Sequence, residues 1–432
     1  MRLPDGGPPG AGSRPGRRPM TPHGHGHSHD VGRPGGRRRR EPADPRQASL
    51  VRAVLAAAVA VATIATVVGL VLLWPRGERP TAPSALGTAN GLQLVDGTVA
   101  SVRPYDCTST GDAAAAPDAP AVTCAYAMVA LPGRDGVEVD LAPDVVQSGV
   151  SPGDRVRLAH VPASADAPET WLFLDFVRGL PLAALAISFA LLVVLVARLR
   201  GLAALVGLVV TGIAVLEFML PALLVGRDPL LVGVVGSSAI LLVVLYLAHG
   251  VSVRTTTALL GTLFGVALTA LLATWAGAAA HLTGVGSEGD ASLVSLAGQI
   301  DLSGLLVCGV VLAGLGVLND VTITQASAVW ELHELQPGLS ARRLFGSAMR
   351  IGRDHIASTV YTIVFAYAGA ALPVLLLIEL STAPLSQVVV SGDVAAEVVR
   401  SLVGAIGLVL AVPLTTGLGV LVVRLTARRP AG

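Results

Sequence analysis

The chain has 432 residues, of which 53% are hydrophobic and only 14% are charged. A soluble protein usually has roughly 25% charged residues, so this chain is too apolar for that class. Its net charge of +1 gives no support for a nucleic-acid partner. Three cysteines are too few for a zinc ribbon or an iron–sulfur cluster. The composition therefore indicates an integral membrane protein in contact with a lipid bilayer.

The first 49 residues are rich in Gly, Pro and Arg and have no apolar periodicity, so residues 1–49 are predicted to form a disordered tail. Translation can begin at Met1 or at Met20. Within the tail, His alternates with Gly and Ser, and clustered imidazoles are ligands for divalent transition metals. The candidate metal ligands are His23, His25, His27 and His29. Such tracts also occur without a metal, and no other cofactor is expected.

Residues 53–74 form an uncharged apolar run that is long enough to cross a bilayer, which takes about 20 helical residues. A cleaved signal peptide is the alternative. Its apolar region would be shorter, about 7–15 residues, and a small-residue cleavage site would follow closely. We therefore predict an uncleaved transmembrane helix.

Residues 80–175 are polar and contain short runs in which apolar and polar residues alternate, at 92–95, 97–102, 136–141 and 154–158. These runs are separated by Pro-Gly and Gly-containing turns, which is typical of antiparallel strands. About 80 ordered residues suit a small barrel of the OB type. Cys107 and Cys124 flank an insertion rich in Ala and Pro and can close it as a disulfide outside the cytoplasm. Two reduced, half-buried thiols are the alternative.

Seven further apolar segments follow, at 179–197, 202–225, 229–249, 255–280, 304–322, 357–379 and 401–423. Arginines concentrate in alternate loops, and short cytoplasmic loops carry the excess of positive charge. This places both termini in the cytoplasm of a cell-membrane protein, including the tail at 425–432. The predicted fold is an α-helical polytopic membrane protein with about eight transmembrane helices. Seven of them form a membrane domain at 179–424, and the small extracytoplasmic β-rich domain follows the first.

One predicted span ends in two glycines and a dense polar stretch. At 3.6 residues per turn, Asp320, Thr324, Ser327 and Glu331 share one helix face. The candidate pathway residues are Asn319, Asp320, Thr322, Thr324, Gln325 and Glu331, with Glu217 from an earlier span. Gly314 and Gly316 could allow the helix to unwind and offer carbonyl groups to an ion. The alternative is that the helix leaves the bilayer here, with Asp320 at headgroup depth.

A second polar cluster precedes the next apolar run. It holds four ionisable residues within six positions, and one of them, His355, can relay protons. The candidate cytoplasmic gate residues are Arg350, Arg353, Asp354, His355, Ser358 and Tyr361. The alternative is an interfacial positive anchor, which accounts for the two arginines better than for the other residues.

Three stretches carry a family resemblance: Tyr246–Thr262, Gly316–Leu332 and Arg350–Tyr361. They resemble motifs of the YibE/F family of bacterial multi-pass membrane proteins, and the likeness covers about 85–425. The resemblance implies a multi-pass architecture and supplies no activity.

Enzyme signatures are absent from the sequence: it has no phosphate-binding Gly-rich loop followed by Lys, no Gly-x-Ser-x-Gly and no His-Glu-x-x-His. The leading hypothesis is therefore a secondary transporter or permease for a small solute or ion, and not an enzyme. The alternative is a non-transporting scaffold or accessory subunit that binds a protein partner through the β-rich domain. Small residues spaced four apart, such as Gly261 and Gly265, fit helix packing within the chain or in a homo-oligomer.

Overall fold

The computed structural model describes residues 45–76, 93–107, 122–163, 168–284, 300–380, 384–388 and 390–426. The histidine tract, nearly all of the N-terminal tail, the insertion between the two cysteines and residues 427–432 lie outside this set. The metal prediction on His23, His25, His27 and His29 therefore stays a prediction.

The first helix, α1 (Pro45–Leu73), includes nearly all of the predicted span at 53–74. A five-stranded antiparallel sheet follows, and its strands lie in the order β3-β2-β1-β4-β5. The strands are β1 (Gln93–Asp106), β2 (Thr123–Leu131), β3 (Arg134–Leu141), β4 (Arg155–Val161) and β5 (Thr170–Phe176). A short helix, α2 (Pro143–Gln147), connects β3 to β4.

The sheet curls so that its two outer strands approach each other. Arg134, at the start of β3, forms an ion pair of 3.0 Å with Glu169, just before β5. The inward faces of all five strands pack into one apolar core, whose central residues are Val99, Val129 and Leu158. Gly97 is required in β1 because a Cβ atom there would collide with Val129 and Leu131. The described residues between 93 and 176 therefore form a small β-rich domain, as predicted.

Helices form the rest of the described chain. They are α3 (Gly179–Ile213), α4 (Leu220–Leu224), α5 (Pro229–His249), α6 (Val253–Ala279), α7 (Leu302–Leu335), α8 (Ala341–Ala370), α9 (Leu372–Leu380), α10 (Leu385–Val388) and α11 (Gly392–Thr426). Within the described residues, six helical segments are long and apolar enough to cross a membrane, or seven if α8 and α9 count as one bent span.

One of the six segments runs from Gly179 to Leu224, and its 46 residues are more than one bilayer crossing requires. The backbone leaves helical geometry at Arg198, where φ is 54°. A Cβ atom on Gly201 would collide with the carbonyl oxygen of Val193. Eight residues apart in a straight helix, these groups would be about 12 Å apart. The segment is therefore sharply bent at Arg198, between the predicted spans 179–197 and 202–225.

The second half of this segment contains a π-helical turn, Ala214–Met219, directly before α4. Pro221 has no backbone N–H and cannot bond to the carbonyl group of Glu217, four residues earlier. A wider turn at this point accommodates the proline ring, so the helix is locally widened before Pro221 and is not interrupted.

Two local expectations need correction. The span predicted at 357–379 is not one straight helix: α8 begins at Ala341 and ends at Ala370, and α9 continues at an angle of 70°. The glycines at 314 and 316 do not unwind α7, which is continuous from Leu302 to Leu335. An unwound turn would release backbone groups that need new partners, whereas an intact helix satisfies them internally.

Three helices, α6, α7 and α11, form the centre of the helical part. Small residues on α6 face small residues on α11 at four-residue spacing, and the order of the contacts makes the two helices antiparallel. The facing pairs are Gly261 with Thr415, Gly265 with Ala411, and Thr269 with Gly407. In two of these pairs a threonine hydroxyl oxygen lies so close to the glycine that a Cβ atom there would collide with it. Close approach of this kind allows Cα–H···O contacts, which recur where helices pack closely.

Candidate functional site

The two polar clusters predicted from sequence meet across the α7–α8 hairpin. The helices are antiparallel and joined by residues 336–340, and Ser340 caps α8 by accepting a hydrogen bond from the backbone N–H of Arg343. This hairpin brings His355 of α8 opposite Asp320 of α7, with 3.5 Å between Nε2 and the carboxylate Oδ2. One residue from each cluster therefore enters a single pair.

The environment of the pair is asymmetric. The Asp320 side chain is 67% exposed and that of His355 is 30% exposed. The His355 Nε2 atom is itself covered and lies outside hydrogen-bonding geometry, although it is within ion-pair distance of the carboxylate. The Oδ1 atom of Asn319 is also covered and has no hydrogen-bond partner within the described residues. The two side chains are thus within ion-pair distance, but no hydrogen bond joins them.

The pair lies near the middle of both helices. At 1.5 Å per residue, Asp320 is about 27 Å from Leu302 and about 22 Å from Leu335. His355 is about 18 Å along α8 from Arg343, toward the far end of the helix. The start of α8 and the end of α11 are adjacent, because Arg424 donates a hydrogen bond to the carbonyl oxygen of Leu339. The pair is therefore about 18 Å along α8 from this end of the bundle, while Arg350 and Arg353 lie closer to it, within five residues of His355.

An open polar face extends along α7 on both sides of the pair. Gly316, Asp320, Thr324 and Glu331 are exposed, and Ser327 is half-buried. A Cβ atom on Gly316 would meet nothing within 4 Å among the described residues. The shared face predicted for Asp320, Thr324, Ser327 and Glu331 is present in the structure.

Two other predicted pathway residues lie on the opposite, packed side of α7. Thr322 is fully buried and shares a hydrogen bond of 2.6 Å with Thr262 of α6. Gln325 is 2% exposed and donates to the carbonyl oxygen of Ala348 at 2.9 Å and to the hydroxyl of Thr416 at 2.7 Å. These two residues join helices and do not line the open face.

The other predicted gate residues lie on the exposed side of α8. This applies to Arg350, Arg353, Asp354, Ser358 and Tyr361. Tyr361 stacks on Phe365 with 6.2 Å between ring centroids. The buried side of α8 instead consists of Leu344, Ala348, Gly352 and Ile363. Glu217 is exposed on the π-helical turn, in a different part of the helical bundle.

The β-rich domain has a second group of interacting polar and aromatic residues. Cys107 and Cys124 are joined by a disulfide. Beside it, Tyr105 stacks on Tyr126 with 4.5 Å between centroids and donates a hydrogen bond of 2.9 Å to Asp140. This hydrogen bond is the main cause that raises the pKa of the Tyr105 hydroxyl to about 12. These residues form an ordered outer surface on β1, β2 and β3.

Metal-ligating side chains do not gather elsewhere in the described residues: no three His, Cys, Asp or Glu residues come together as a ligand set. Asp320 and His355 alone supply two such groups, fewer than a resident transition metal ordinarily takes.

A model of the family described as YibE/F-like protein matches residues 185–425, which is more than half of the chain. The chain belongs to the YibE/F-like family. The match includes both Asp320 and His355 and begins inside α3, so the β-rich domain lies outside it. The likeness inferred from the motifs was expected to begin earlier, near residue 85. No curated protein and no solved structure matches the chain. Family membership and the apolar helices together indicate a membrane protein.

Sequence reasoning missed the threonines that tie the YibE/F-like domain together. Thr262 and Thr416 bond to α7, while Thr269 and Thr415 oppose glycines. A usable signal was present, because Gly261, Gly265 and Thr269 repeat at four-residue spacing on one face of α6.

Proposed function

We propose that this YibE/F-like protein is a secondary transporter or permease for a small solute or ion. The observation that supports it best is the Asp320–His355 pair, which lies at mid-length of two long helices beside an open polar face. A carboxylate near the centre of a bilayer costs about 2.5–3.5 kcal/mol on insertion scales. Such residues usually face a water-filled cavity or a partner, and a solute path is the use that fits the exposed face of α7.

The proposal includes eight transmembrane helices, with both termini in the cytoplasm of a cell-membrane protein. The bend at Arg198 supports eight, because it divides the 46-residue segment into two helices, each long enough for its own crossing. The arginine-bearing end of the bundle, near Arg254, Arg343 and Arg424, would then face the cytoplasm.

We also propose that the β-rich domain is an OB-like barrel on the extracytoplasmic side. Its five antiparallel strands, the approach of β3 to β5 and the helix between β3 and β4 all suit a small closed barrel. The disulfide fits an oxidising compartment. The connector from β5 to α3 is two residues long, which keeps the domain next to the bundle.

The transport proposal is tested with the full chain in proteoliposomes. Gradients of Na⁺, K⁺, Mg²⁺, phosphate and an amino-acid mixture are imposed in turn, and uptake or charge movement is recorded. We expect at least one gradient to drive flux through the wild-type protein, and we expect Asp320→Asn to abolish it. Glu334→Gln is the matched control, because it removes an exposed carboxylate near the end of the same helix.

Two results would count against the proposal, the first against transport itself and the second against a role of the pair in the path. One is flux equal to that of empty liposomes for every gradient. The other is flux that Asp320→Asn and Glu334→Gln leave equally intact, which would separate the pair from the path.

A scaffold or accessory subunit is the second candidate, and the outer surface of β1–β3 favours it. Tyr105 and Tyr126 are ordered there by stacking and by the bond to Asp140, and aromatic residues are enriched at protein interfaces. Under this function, a stoichiometric protein would co-purify with the full chain and would be lost when residues 80–175 are deleted. Recovery of the same partner without the domain would argue against it.

A further inference from the structure

We propose that the ion coupled to transport is the proton, and that the Asp320–His355 pair is its binding site. This inference rests on the proposed transport function and specifies its ion. The geometry that carries it is an imidazole nitrogen and a carboxylate oxygen 3.5 Å apart, at mid-length of α7 and α8, beside an open face.

The continuity of α7 argues against a sodium-type site. Broken membrane helices bind Na⁺ through carbonyl groups that an unwound turn sets free. In α7 the glycines at 314 and 316 lie inside an unbroken helix, so the carbonyl groups of this segment are used in helical hydrogen bonds. A hard cation prefers several oxygen ligands, and the pair offers one carboxylate and one imidazole. A proton needs no more than such a pair.

Within the described part of the chain, Asp320 is the charged group on a neighbouring helix that faces His355. On α7, Glu331 and His333 are about 16 and 20 Å from Asp320 along the helix. On α11, Arg424 bonds to Leu339, and Arg400 pairs with Glu397 at 2.8 Å.

On α8 itself, Arg350, Arg353 and Asp354 are exposed neighbours in sequence. On α9, Glu379 lies beyond the 70° bend. Asp320 is thus the partner at ion-pair distance, and Arg353 and Asp354 add charges beside His355 on its own helix.

The chemistry of the pair follows from charge. When the imidazole takes up a proton, it becomes a cation beside the Asp320 carboxylate, and the pair is neutral overall. When the proton leaves to water in the open face, the imidazole is neutral and the pair carries one negative charge. A net charge costs more than a neutral pair where the dielectric constant is low, so loading and release change the stability of the α7–α8 contact. One proton is bound and one released in each cycle.

The first experiment measures proton movement through the full-length protein. Proteoliposomes containing a pH-sensitive dye are given a potassium diffusion potential together with the solute gradient that drives flux in the transport test, and internal acidification is followed. We expect acidification by the wild-type protein, reduced to that of empty liposomes in His355→Gln and in Asp320→Asn. The matched control is His333→Gln, which removes a histidine about 20 Å from the pair on α7 and should acidify like wild type.

The second experiment detects the proton on the histidine directly and does not depend on flux. Histidine is labelled with ¹⁵N in the protein in liposomes, and the His355 signals are identified by their loss in His355→Gln. We expect these signals to shift with pH in the wild-type protein, and the midpoint of that shift to move in Asp320→Asn. Asp320→Asn keeps the size of the side chain, so it tests the charge without leaving a cavity.

The outcomes separate the two proposals. Solute flux without proton movement, or with proton movement that His355→Gln leaves intact, overturns the proton inference while transport stands. His355 signals that are constant with pH, or that ignore Asp320→Asn, overturn it as well, whatever the flux. A pH-dependent pair in a protein that moves no solute and no proton would reject transport, and with it proton coupling.

Discussion

The buried amide of Gln325 should hold three helices together, and a double-mutant cycle can measure this. Its Nε2 group donates to Ala348 on α8 and to Thr416 on α11, so Gln325→Leu removes two interhelical hydrogen bonds at similar volume. The partners keep other bonds, since Thr416 also donates to the carbonyl oxygen of Val412 at 2.7 Å. The variant therefore loses bonds without leaving a buried group wholly unpaired.

The expected magnitude follows from measured interhelical bonds in membranes, which average about 0.6 kcal/mol and reach about 1.7. Two such bonds give a loss of about 1–3 kcal/mol in the free energy of unfolding for Gln325→Leu. Combining it with Thr416→Val should give a coupling energy of about 0.6 to 1.7 kcal/mol, because the two variants remove one shared bond.

The assay is reversible unfolding of the full chain in bicelles, titrated with a denaturing detergent. The control cycle replaces Thr416→Val by Thr274→Val, since among the described residues the Thr274 hydroxyl donates within its own helix, to the carbonyl oxygen of Ala270. This control should add to Gln325→Leu without coupling. Equal coupling energies in the two cycles would refute the assignment of Gln325 as an interhelical tie.

Three further results are expected. Gly261→Val should lower the melting temperature, because a side chain there collides with Thr415, whereas Gly404→Val enters open space and should change it little; equal losses would contradict this packing. Reducing the disulfide should cost the β-rich domain about 3 kcal/mol of stability, since it closes a loop with a sequence separation of 17, and an unchanged melting temperature after reduction would argue against it. Tyr105 should ionise near pH 12, measured by phenolate absorbance against Tyr105→Phe, and Asp140→Asn should return its pKa toward about 10. Because this pKa is raised on folding, the stabilisation is complete below about pH 10 and is lost as the pH rises toward 12; ionisation of Tyr105 near pH 10 in the wild-type protein would exclude it.

The strands show what alternation can predict. The runs at 97–102, 136–141 and 154–158 lie in β1, β3 and β4, because each alternates between a buried and an exposed face. The described part of the run at 92–95 belongs to the same strand as 97–102, since Gly97, the first residue of the second run, faces the core and makes no turn. Thr123–Leu131 and Thr170–Phe176 were missed, because the first is nearly continuously apolar and the second has aromatic residues on both faces.

The helix boundaries show where hydropathy fails. Charged residues at 342–355 lower the local hydropathy, so the span was predicted to begin at 357. The helix begins at Ala341 because Leu344, Ala348 and Gly352 recur at four-residue spacing and bury one side of it. The charges occupy the other side, and an average over a window does not separate the two sides of a helix.

The pairing of Asp320 with His355 could not be read from either cluster alone. Each cluster has a clear helical face, but the level at which two helices meet depends on the length of their connection and on packing around them. In this protein the hydrogen bond from Gln325 to the carbonyl oxygen of Ala348 fixes that level. The same packing places Thr322 and Gln325 on the buried side of α7, apart from the exposed residues. Residue spacing along one helix predicts this division only when the buried side is already known.

The close contacts between glycine and threonine on α6 and α11 limit which substitutions the chain can accept. A larger residue at 261 is compatible only with a smaller one at 415, and the same holds for 407 with 269. An ancestor that changed one member alone would have carried either a clash or a void. Descendants should therefore differ at both positions of a pair or at neither, and the inheritance of these four residues should record the contact even where the surrounding helices have diverged.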